Sequence, residues 1–378
     1  MKCGRKIHAN YNPTAGNHTN GYPIMTQHLS RAVALFTIAV AITTANPLPA
    51  ADGPPKVIRV GDVIGGHVHP SLCVTKTGRI LAVYNKSGGG GKELLLSTST
   101  DGGKTWSKSA AIPGIADCSI YPGSLTTLKD GRILLNWSCY KVDGARRWRV
   151  PQFCISNNEG KDWTAPRDLP LKNLTNSSCL RHPVLELSAD EWVCPLYDRT
   201  VVYNHRQHTV RPFGDGRNHG MVPIVRTQQG TIISGAPEAN APVPVGKPSK
   251  QVRGLRSTNI GQSWQPLYAF PYFGVAGYDL NVLENGWVVL TSIVYGTGRD
   301  GEWAYELIVS RDDGKTWDRT NPVTVYSPGR PIKGRGWPRT VQIDGKTLGT
   351  LFYDLDANQT GGPGVFFVRT AISRLNAD

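Results

Sequence analysis

Short apolar runs broken by turn residues cover the chain from about residue 57 onward, without a convincing helical period. Each unit is a pair of strand-like segments joined at a polar turn, as in VTKTGRILAVY around Gly78. Tight turns of this kind join antiparallel strands, so each unit predicts a β-hairpin. Six such units follow one another, centred on Gly78, Gly131, Asp190, Gly230, Gly286 and Gly345.

A second pattern, S-x-[DN]-x-G-x-[TSD]-W, predicts a different turn. Its Asp or Asn caps nearby backbone amides, and its Gly accepts a positive φ. Its Trp is expected to pack the hairpin end onto the next strand. The pattern occurs at residues 99–106, 156–163, 257–264 and 310–317. The middle interval is about twice the other two, so one repeat is expected to lack this turn.

The two patterns together predict the architecture. The hairpin turns recur at a mean interval of about 53 residues, which accommodates four short strands in each of six units. Units stacked radially protect their strand edges, so the predicted fold class is all-β, a six-bladed β-propeller. A pair of β-sandwiches is the alternative.

The N-terminal segment, residues 1–51, differs from the rest and is predicted to lie outside the fold. Residues 32–45, AVALFTIAVAITTA, follow a basic residue and precede small residues, as in a secretory signal. A start at Met25 gives a signal of ordinary length. The sequence therefore predicts a cleavable signal near residues 25–51, a folded domain over 52–378, and a secreted or periplasmic protein without integral membrane association. A single N-terminal anchor helix is the alternative, for which fourteen apolar residues are too few.

Composition narrows the class of protein. A hydrophobic fraction of 39% with ten Trp is too apolar and aromatic for a disordered chain. The formal charge is +14, from 42 Lys and Arg against 28 Asp and Glu. Loss of residues 1–51 removes four cations and no acid, which lowers the charge to +10. This charge suits an anionic ligand, but the sequence shows no clustered Lys/Arg stripe and no nucleic-acid module, so nucleic acid is not expected.

Six cysteines follow residue 51, and an even number in an exported protein permits disulfides. Cys139 and Cys154 flank a short polar segment and are candidates to face each other across a hairpin. Buried free thiols are the alternative, which fits Cys73 within an apolar strand. No Cys or His spacing indicates a metal site, and no cofactor is expected. A Ca²⁺ ion bound in a loop is the alternative that the sequence leaves open.

The four S-x-[DN]-x-G-x-[TSD]-W turns resemble Asp-boxes, and STDGGKTW at residues 99–106 is a full match. From about residue 57 to 375 the chain resembles the sialidase (neuraminidase) superfamily, particularly its secreted bacterial members with Asp-box (BNR) repeats. The resemblance implies a glycoside hydrolase acting on terminal sialic acid or a related acidic sugar. It also implies an acidic glycan or sialylated glycoconjugate as partner. The Asp-box itself is a marker of fold and not of activity.

Candidate functional residues lie at the starts of the predicted innermost strands, which line the channel of a propeller. Arg forks bind carboxylates and aromatic faces stack on sugar rings, so these positions suit a carboxylated sugar. The predicted substrate-binding residues are Arg181, Arg339, His67, His69, Tyr121 and Trp337. The predicted catalytic residues are Tyr278, Asp279, Glu93 and Glu238, with Asp279 as the preferred carboxylate. Salt bridges between blades are the alternative for the arginines, and core packing is the alternative for the tyrosines.

Several positions depart from what the resemblance implies. Sialidases similar to this chain use an arginine triad for the carboxylate, an Asp acid/base, and a Tyr nucleophile activated by Glu. This chain has V-H-P at residues 68–70 where the first Arg is expected, and G-W-P-R at 336–339 where the Tyr is expected. The loop expected to carry the Asp is residues 87–92, and the nearest acid is Glu93. Only Y-D-L at 278–280, one blade earlier, resembles the Tyr segment.

Three interpretations follow from this mismatch. The protein is a sialidase with a rearranged site, or a glycosidase that uses other residues for proton transfer, such as His69 or Glu238. The third interpretation is a propeller that binds acidic glycans without cleaving them. The basic charge fits all three, and the sequence leaves the oligomeric state open.

Overall fold

Six four-stranded antiparallel sheets make up the part of the chain that the structure describes. This computed structural model describes residues 55–66, 68–87, 91–115, 119–215, 223–238, 251–267, 278–295, 303–318, 320–332, 337–357 and 361–376, all within one compact unit. The predicted signal segment lies outside these residues. The sheets are the blades of a six-bladed β-propeller, so the predicted fold class is confirmed.

Strand β1 (Val57–Asp62) is the outermost strand of the last blade, and each following blade runs from the channel outward. Blade 1 contains β2 (Ser71–Val74), β3 (Ile80–Tyr84), β4 (Leu95–Ser99) and β5 (Ala110–Ala111). Blade 2 contains β6 (Ser119–Thr127), β7 (Ile133–Asp143), β8 (Arg146–Ser156) and β9 (Arg167–Asp168). Blade 3 contains β10 (Leu185–Glu186), β11 (Glu191–Pro195), β12 (Thr200–Asn204) and β13 (Thr209–Pro212).

The remaining blades continue the order. Blade 4 contains β14 (Ile224–Arg226), β15 (Ile232–Glu238), β16 (Gln251–Ser257) and β17 (Gln265–Leu267). Blade 5 contains β18 (Tyr278–Val282), β19 (Val288–Tyr295), β20 (Trp303–Ser310) and β21 (Val323–Tyr326). Blade 6 contains β22 (Arg339–Asp344), β23 (Thr347–Asp354) and β24 (Gly364–Ala371), with β1 outside β24, and a 3₁₀ helix (Ile372–Asn376) follows. No helix among the described residues is long and apolar enough to cross a membrane.

The six predicted hairpins are the innermost two strands of the six blades. At the first of them, Thr75 N donates to Arg79 O at 2.8 Å, and Gly78 N donates to Thr75 O at 3.0 Å. Gly78 has φ +83°, a conformation that costs glycine little. The same pair of hydrogen bonds recurs at the turns of Gly131, Gly230 and Gly286. The hairpin prediction is therefore confirmed, including the copy at Asp190 between β10 and β11.

The four S-x-[DN]-x-G turns join the third and fourth strands of blades 1, 2, 4 and 5. In blade 1, Gly103 N donates to Ser99 Oγ at 2.9 Å, and Thr105 N donates to Asp101 Oδ1 at 3.0 Å. Equivalent hydrogen bonds are present in the other three turns. In blade 1 the Trp of this turn packs between blades: the ring of Trp106 meets Phe367 of the preceding blade edge-on, with ring centroids 5.2 Å apart.

Apolar packing lies mainly between blades. The described residues form six buried apolar clusters, one at each contact between neighbouring blades. Between blades 1 and 2, for example, Leu81 packs with Leu135 and Trp137, and all three are almost completely buried. Truncating a buried Trp of this kind typically costs about 3–5 kcal/mol. The stability of each blade therefore depends on packing against its neighbours as well as on its own hydrogen bonds.

The cysteine pairing across the β7–β8 hairpin is contradicted. Cys139 pairs with Val150 in the strand register, whereas Cys154 pairs with Leu135, so the two cysteines are several positions apart. Cys139 is disulfide-bonded, but its partner is not a described cysteine, because Cys73, Cys154, Cys179 and Cys194 are buried free thiols. Burial raises the pKa of Cys154 to about 12, so this thiol stays protonated and unreactive at neutral pH.

Candidate functional site

The channel is lined by the innermost strands of all six blades. It contains a cavity of about 420 Å³. Each blade contributes at least one wall residue, namely Leu72, Leu125, Leu185, Ile224, Leu280 and Val341. We call the end at which these strands begin the mouth, and Tyr278 and Arg339 are the first residues of β18 and β22 there. The repeat therefore brings residues that are far apart in sequence to one place.

Six of the ten predicted site residues meet at the mouth. A small cavity of about 20 Å³, room for a single water molecule, is lined by His69, Arg181, Asp279, Trp337 and Arg339, among others. Tyr278 joins the group through its ring, which lies 6.0 Å from that of Trp337. These six residues are called the mouth cluster below.

Trp337 is the centre of the mouth cluster. His69 stacks on its ring at 5.6 Å with an interplanar angle of 24°, and the Arg181 guanidinium carbon lies 4.9 Å from the ring centroid. A guanidinium held over a Trp face gains a cation–π attraction and keeps its planar donors in a fixed orientation. Arg181 also approaches His69, with Nη1 3.5 Å from Nε2. The stacking thus positions Arg181 at the mouth.

Asp279 is buried and holds blade 5 to blade 6. Its Oδ1 accepts a hydrogen bond from Arg339 Nη1 at 2.7 Å, and its Oδ2 accepts one from the Thr340 backbone amide at 2.9 Å. Burial raises the pKa of Asp279 above its ordinary value, and the Arg339 guanidinium opposes that rise. Both carboxylate oxygens are engaged, so this geometry favours orientation of Arg339 as one role of Asp279.

His182 belongs to the same site, although it was not among the predicted binding or catalytic residues. Its ring meets the edge of Trp337 at 5.0 Å, and it lines the small cavity. Burial, and then the positive charges of Arg181 and Arg339, lower the pKa of His182 well below its ordinary value. The imidazole is therefore neutral at pH 7. The available signal was its place in the L-R-H-P-V segment, directly after Arg181.

The other four predicted residues lie elsewhere or are only partly described. Glu93 is exposed and lines a groove of about 480 Å³ with Arg59, Trp106 and Lys108, in which no residue of the mouth cluster takes part. Tyr121 lies in β6 and Glu238 ends β15, and the structure describes the backbone alone at these two positions. His67 lies outside the described residues.

Charge at the mouth is dominated by arginine. Two guanidinium groups, Arg181 and Arg339, line the small cavity with one carboxylate, Asp279. This excess of positive charge, in a buried setting where interactions are weakly screened, suits an anionic group. Two arginines, and not the three that the sialidase resemblance implies, line this cavity among the described residues. Within the same residues no group of His, Cys, Asp and Glu is arranged to hold a metal ion.

The sequence matches no protein-family model and no curated protein. In fold, the chain is similar to a point mutant of NanB sialidase from Streptococcus pneumoniae, with a TM-score of 0.60 and 13% identity over 87% of this chain and 72% of that one. It is also similar to a Dyadobacter fermentans protein of unknown function, with a TM-score of 0.57 and 16% identity over 83% and 98% of the two chains.

A third neighbour has a different printed activity. It is a point mutant of the α-L-arabinofuranosidase Arb93A from Fusarium graminearum, with a TM-score of 0.56 and 14% identity over 85% of this chain and 99% of that one. At such identities the likeness establishes the six-bladed propeller and nothing finer. The resemblance to sialidases is therefore confirmed as a resemblance of fold, which arabinofuranosidases share.

Proposed function

We propose that this chain is a sialidase-like glycoside hydrolase that acts on a terminal sialic acid or a related acidic sugar at the mouth cluster. The observation that carries the proposal is the convergence of Arg181 and Arg339 beside Trp337 at the end of a propeller channel. Arginine forks bind a carboxylate bidentately, and an aromatic ring beside them offers an apolar face to a sugar. Sialidases and arabinofuranosidases among the structural neighbours support a glycosidase of this architecture.

Each mouth residue receives a role under this proposal. Arg181, held by Trp337 and His69, binds the substrate carboxylate together with Arg339, which lines the same cavity and whose orientation Asp279 fixes. Neutral His182 keeps the two guanidinium groups from facing a third positive charge. Tyr278 is the nucleophile that the resemblance to the Tyr segment implies, and a phenol avoids the repulsion that a carboxylate nucleophile would meet from an anionic sugar.

A second candidate function is binding of an acidic glycan without cleavage. Two observations favour it. Both oxygens of Asp279 are engaged with blade 6, and the ring of Tyr278 is buried with 2% exposure. A general acid and a nucleophile must both reach the substrate, so the burial of Asp279 and Tyr278 suits a binding site better than a hydrolytic site.

Hydrolysis of a fluorogenic 2-α-sialoside tests the first proposal, with a fluorogenic α-L-arabinofuranoside beside it. Turnover of the sialoside is expected, and Arg181→Met is expected to raise KM by about 30-fold or more, since losing one partner of a buried charge pair costs about 2–5 kcal/mol. Arg211→Met is the matched control, because Arg211 is an exposed residue of β13 that pairs with Glu191 far from the mouth. It is expected to leave KM unchanged.

The outcomes separate the candidates. No sialoside turnover at any pH from about 4 to 8 rejects the hydrolase, because general acid–base groups titrate within that range. If free sialic acid at millimolar concentration still raises the melting temperature, and Arg181→Met removes the effect, the binding function is supported. Turnover of the arabinofuranoside alone would reassign the substrate to a neutral sugar.

A further inference from the structure

The hairpin of β7 and β8 is longer than its counterparts in the other blades. Each of its strands has 11 residues, whereas the second and third strands have five residues each in blades 1 and 3, seven each in blade 4, and eight each in blades 5 and 6. Tyr140 of β7 pairs with Ser119, the first residue of β6, and three more residues of β7 follow. The strands of this hairpin are three residues longer than those of blades 5 and 6, which amounts to about 10 Å at about 3.3 Å per residue. Since β6 starts at the mouth, the hairpin projects on the mouth side.

We call residues 140–149 the arm. Within it, Lys141 pairs with Trp148, Val142 with Arg147, and Asp143 with Arg146. The arm carries four cations, Lys141, Arg146, Arg147 and Arg149, against the single acid Asp143. Three of these cations fall within four residues of the sequence, R-R-W-R at 146–149. Because side chains alternate along a strand, the pairing of Lys141 with Trp148 places Lys141 and Arg146 on one face of the arm, and Arg147 and Arg149 on the other.

Aromatic rings hold two of the arginines in place. The Arg146 guanidinium carbon lies 4.8 Å from the Trp148 ring centroid, and that of Arg149 lies 5.8 Å from the Tyr140 ring. A guanidinium resting on an aromatic face has lost part of its rotational freedom before any ligand arrives, which lowers the entropic cost of binding an anion.

The base of the arm is fixed to the segment that precedes blade 3. The Arg149 backbone amide donates to Thr175 O at 3.0 Å, and its guanidinium donates to Asn176 O. The tip, by contrast, is exposed: Lys141, Arg146 and Arg147 face solvent, and Val142 is 58% exposed.

Cations on an edge strand also discourage aggregation, and that is the simpler explanation for part of the charge of the arm. It does not account for a hairpin extension of about 10 Å at the usual rise per residue, or for the aromatic supports.

We propose that the arm binds an anionic polysaccharide, with Lys141, Arg146 and Arg147 pairing with its carboxylates or sulfates. The position beside the mouth places such a chain where its terminal sugar reaches the mouth cluster. The choice of a glycan over a nucleic acid rests on the proposed function, and also on the arm itself. Single-stranded nucleic acids are bound by several aromatic platforms in succession, whereas Tyr140 and Trp148 are already engaged by arginines.

Binding of heparin to the full-length protein tests the arm, with dextran as the neutral polysaccharide. The triple variant Lys141→Ser/Arg146→Ser/Arg147→Ser is expected to bind heparin about tenfold more weakly, because three exposed ion pairs are lost. The matched control removes the same net charge from the opposite end of the propeller, through Lys104→Ser/Lys161→Ser/Lys315→Ser. These lysines are exposed in the S-x-[DN]-x-G turns, so heparin affinity should change by less than about twofold.

The alternatives give different results. Equal losses in both triple variants would mean that net charge alone attracts heparin, which overturns the proposal, as would an arm variant that binds like the native protein. Tighter binding of a single-stranded DNA than of heparin, lost in the arm variant, would make the partner a nucleic acid and reject the glycan. Binding is measured without turnover, so a protein that binds heparin through the arm but cleaves no sialoside supports the arm and rejects only the hydrolase.

Discussion

Replacing Asp279 by asparagine tests the central ion pair of the mouth. The carboxylate is buried with 3% exposure, and it accepts charge-assisted hydrogen bonds from Arg339 at 2.7 Å and from the Thr340 amide at 2.9 Å. Asparagine keeps one acceptor but turns an NH₂ group toward a donor, and it leaves the largely buried Arg339 charge uncompensated. Breaking a buried pair from one side costs about 3–5 kcal/mol of unfolding free energy.

The reciprocal change, Arg339→Met, is needed to measure the interaction between the two residues apart from their contacts with other groups. Its cost should be smaller at mildly acidic pH, because the raised pKa of Asp279 lets the abandoned carboxyl take up a proton. Urea denaturation of the single variants and the double variant completes a cycle, with an expected coupling of about 1–3 kcal/mol. Glu191→Gln, which breaks the exposed pair with Arg211, is the control and should cost less than about 1 kcal/mol. Additive losses in the cycle would refute the assigned pairing.

Two further predictions follow from the turns and from His182. Gly103→Ala should destabilise the protein by several kcal/mol more than Gly78→Ala in urea denaturation: both glycines have similar φ, but an added Cβ at Gly103 would overlap the Phe367 ring, whereas nothing lies within 4 Å at Gly78. Equal losses would contradict the inter-blade packing. Because the pKa of His182 is lowered in the folded protein, the unfolded chain binds a proton at this residue at a higher pH than the folded chain does. The free energy of unfolding is therefore unaffected by His182 above about pH 6.5, and it decreases as the pH falls below that value, by at most about 1.4 kcal/mol per pH unit. His182→Gln should flatten that dependence in denaturation curves measured between about pH 7 and 5, and an unchanged slope would contradict the assignment to His182.

The propeller could be predicted because its local signals are repeated. The turn at Gly78 and the turn at Ser99 each carry their own hydrogen-bond chemistry, and six copies at one interval leave few ways to stack them. The same repeat also predicted that Arg181, Asp279 and Arg339 would approach one another, since each stands at the start of an innermost strand. Such inferences depend on register, which a period-two pattern specifies well.

What the sequence could not supply were contacts between blades. The pairing of Asp279 with Arg339, the stacking of His69 on Trp337, and the packing of Trp106 on the preceding blade all depend on distances across separate sheets. The misplaced partner of Cys139 has a different origin, because the pairing of β7 with β8 sets Cys139 opposite Val150, four positions from Cys154. Glu93 matches the expected acid only by its position after a loop, and the groove that it lines forms where β1 lies beside blade 1.

Closure of the ring by β1 has a consequence for biosynthesis. Strand β1 pairs with β24, and the Arg59 side chain bonds to the carbonyl of Gly362, 303 positions later. A contact of such sequence separation closes late, because a very long loop must be ordered first. The last blade cannot be completed until β24 has emerged from the ribosome. Strand β1 must therefore wait with an unpaired edge, which makes this seam the place where a holding chaperone would be needed most.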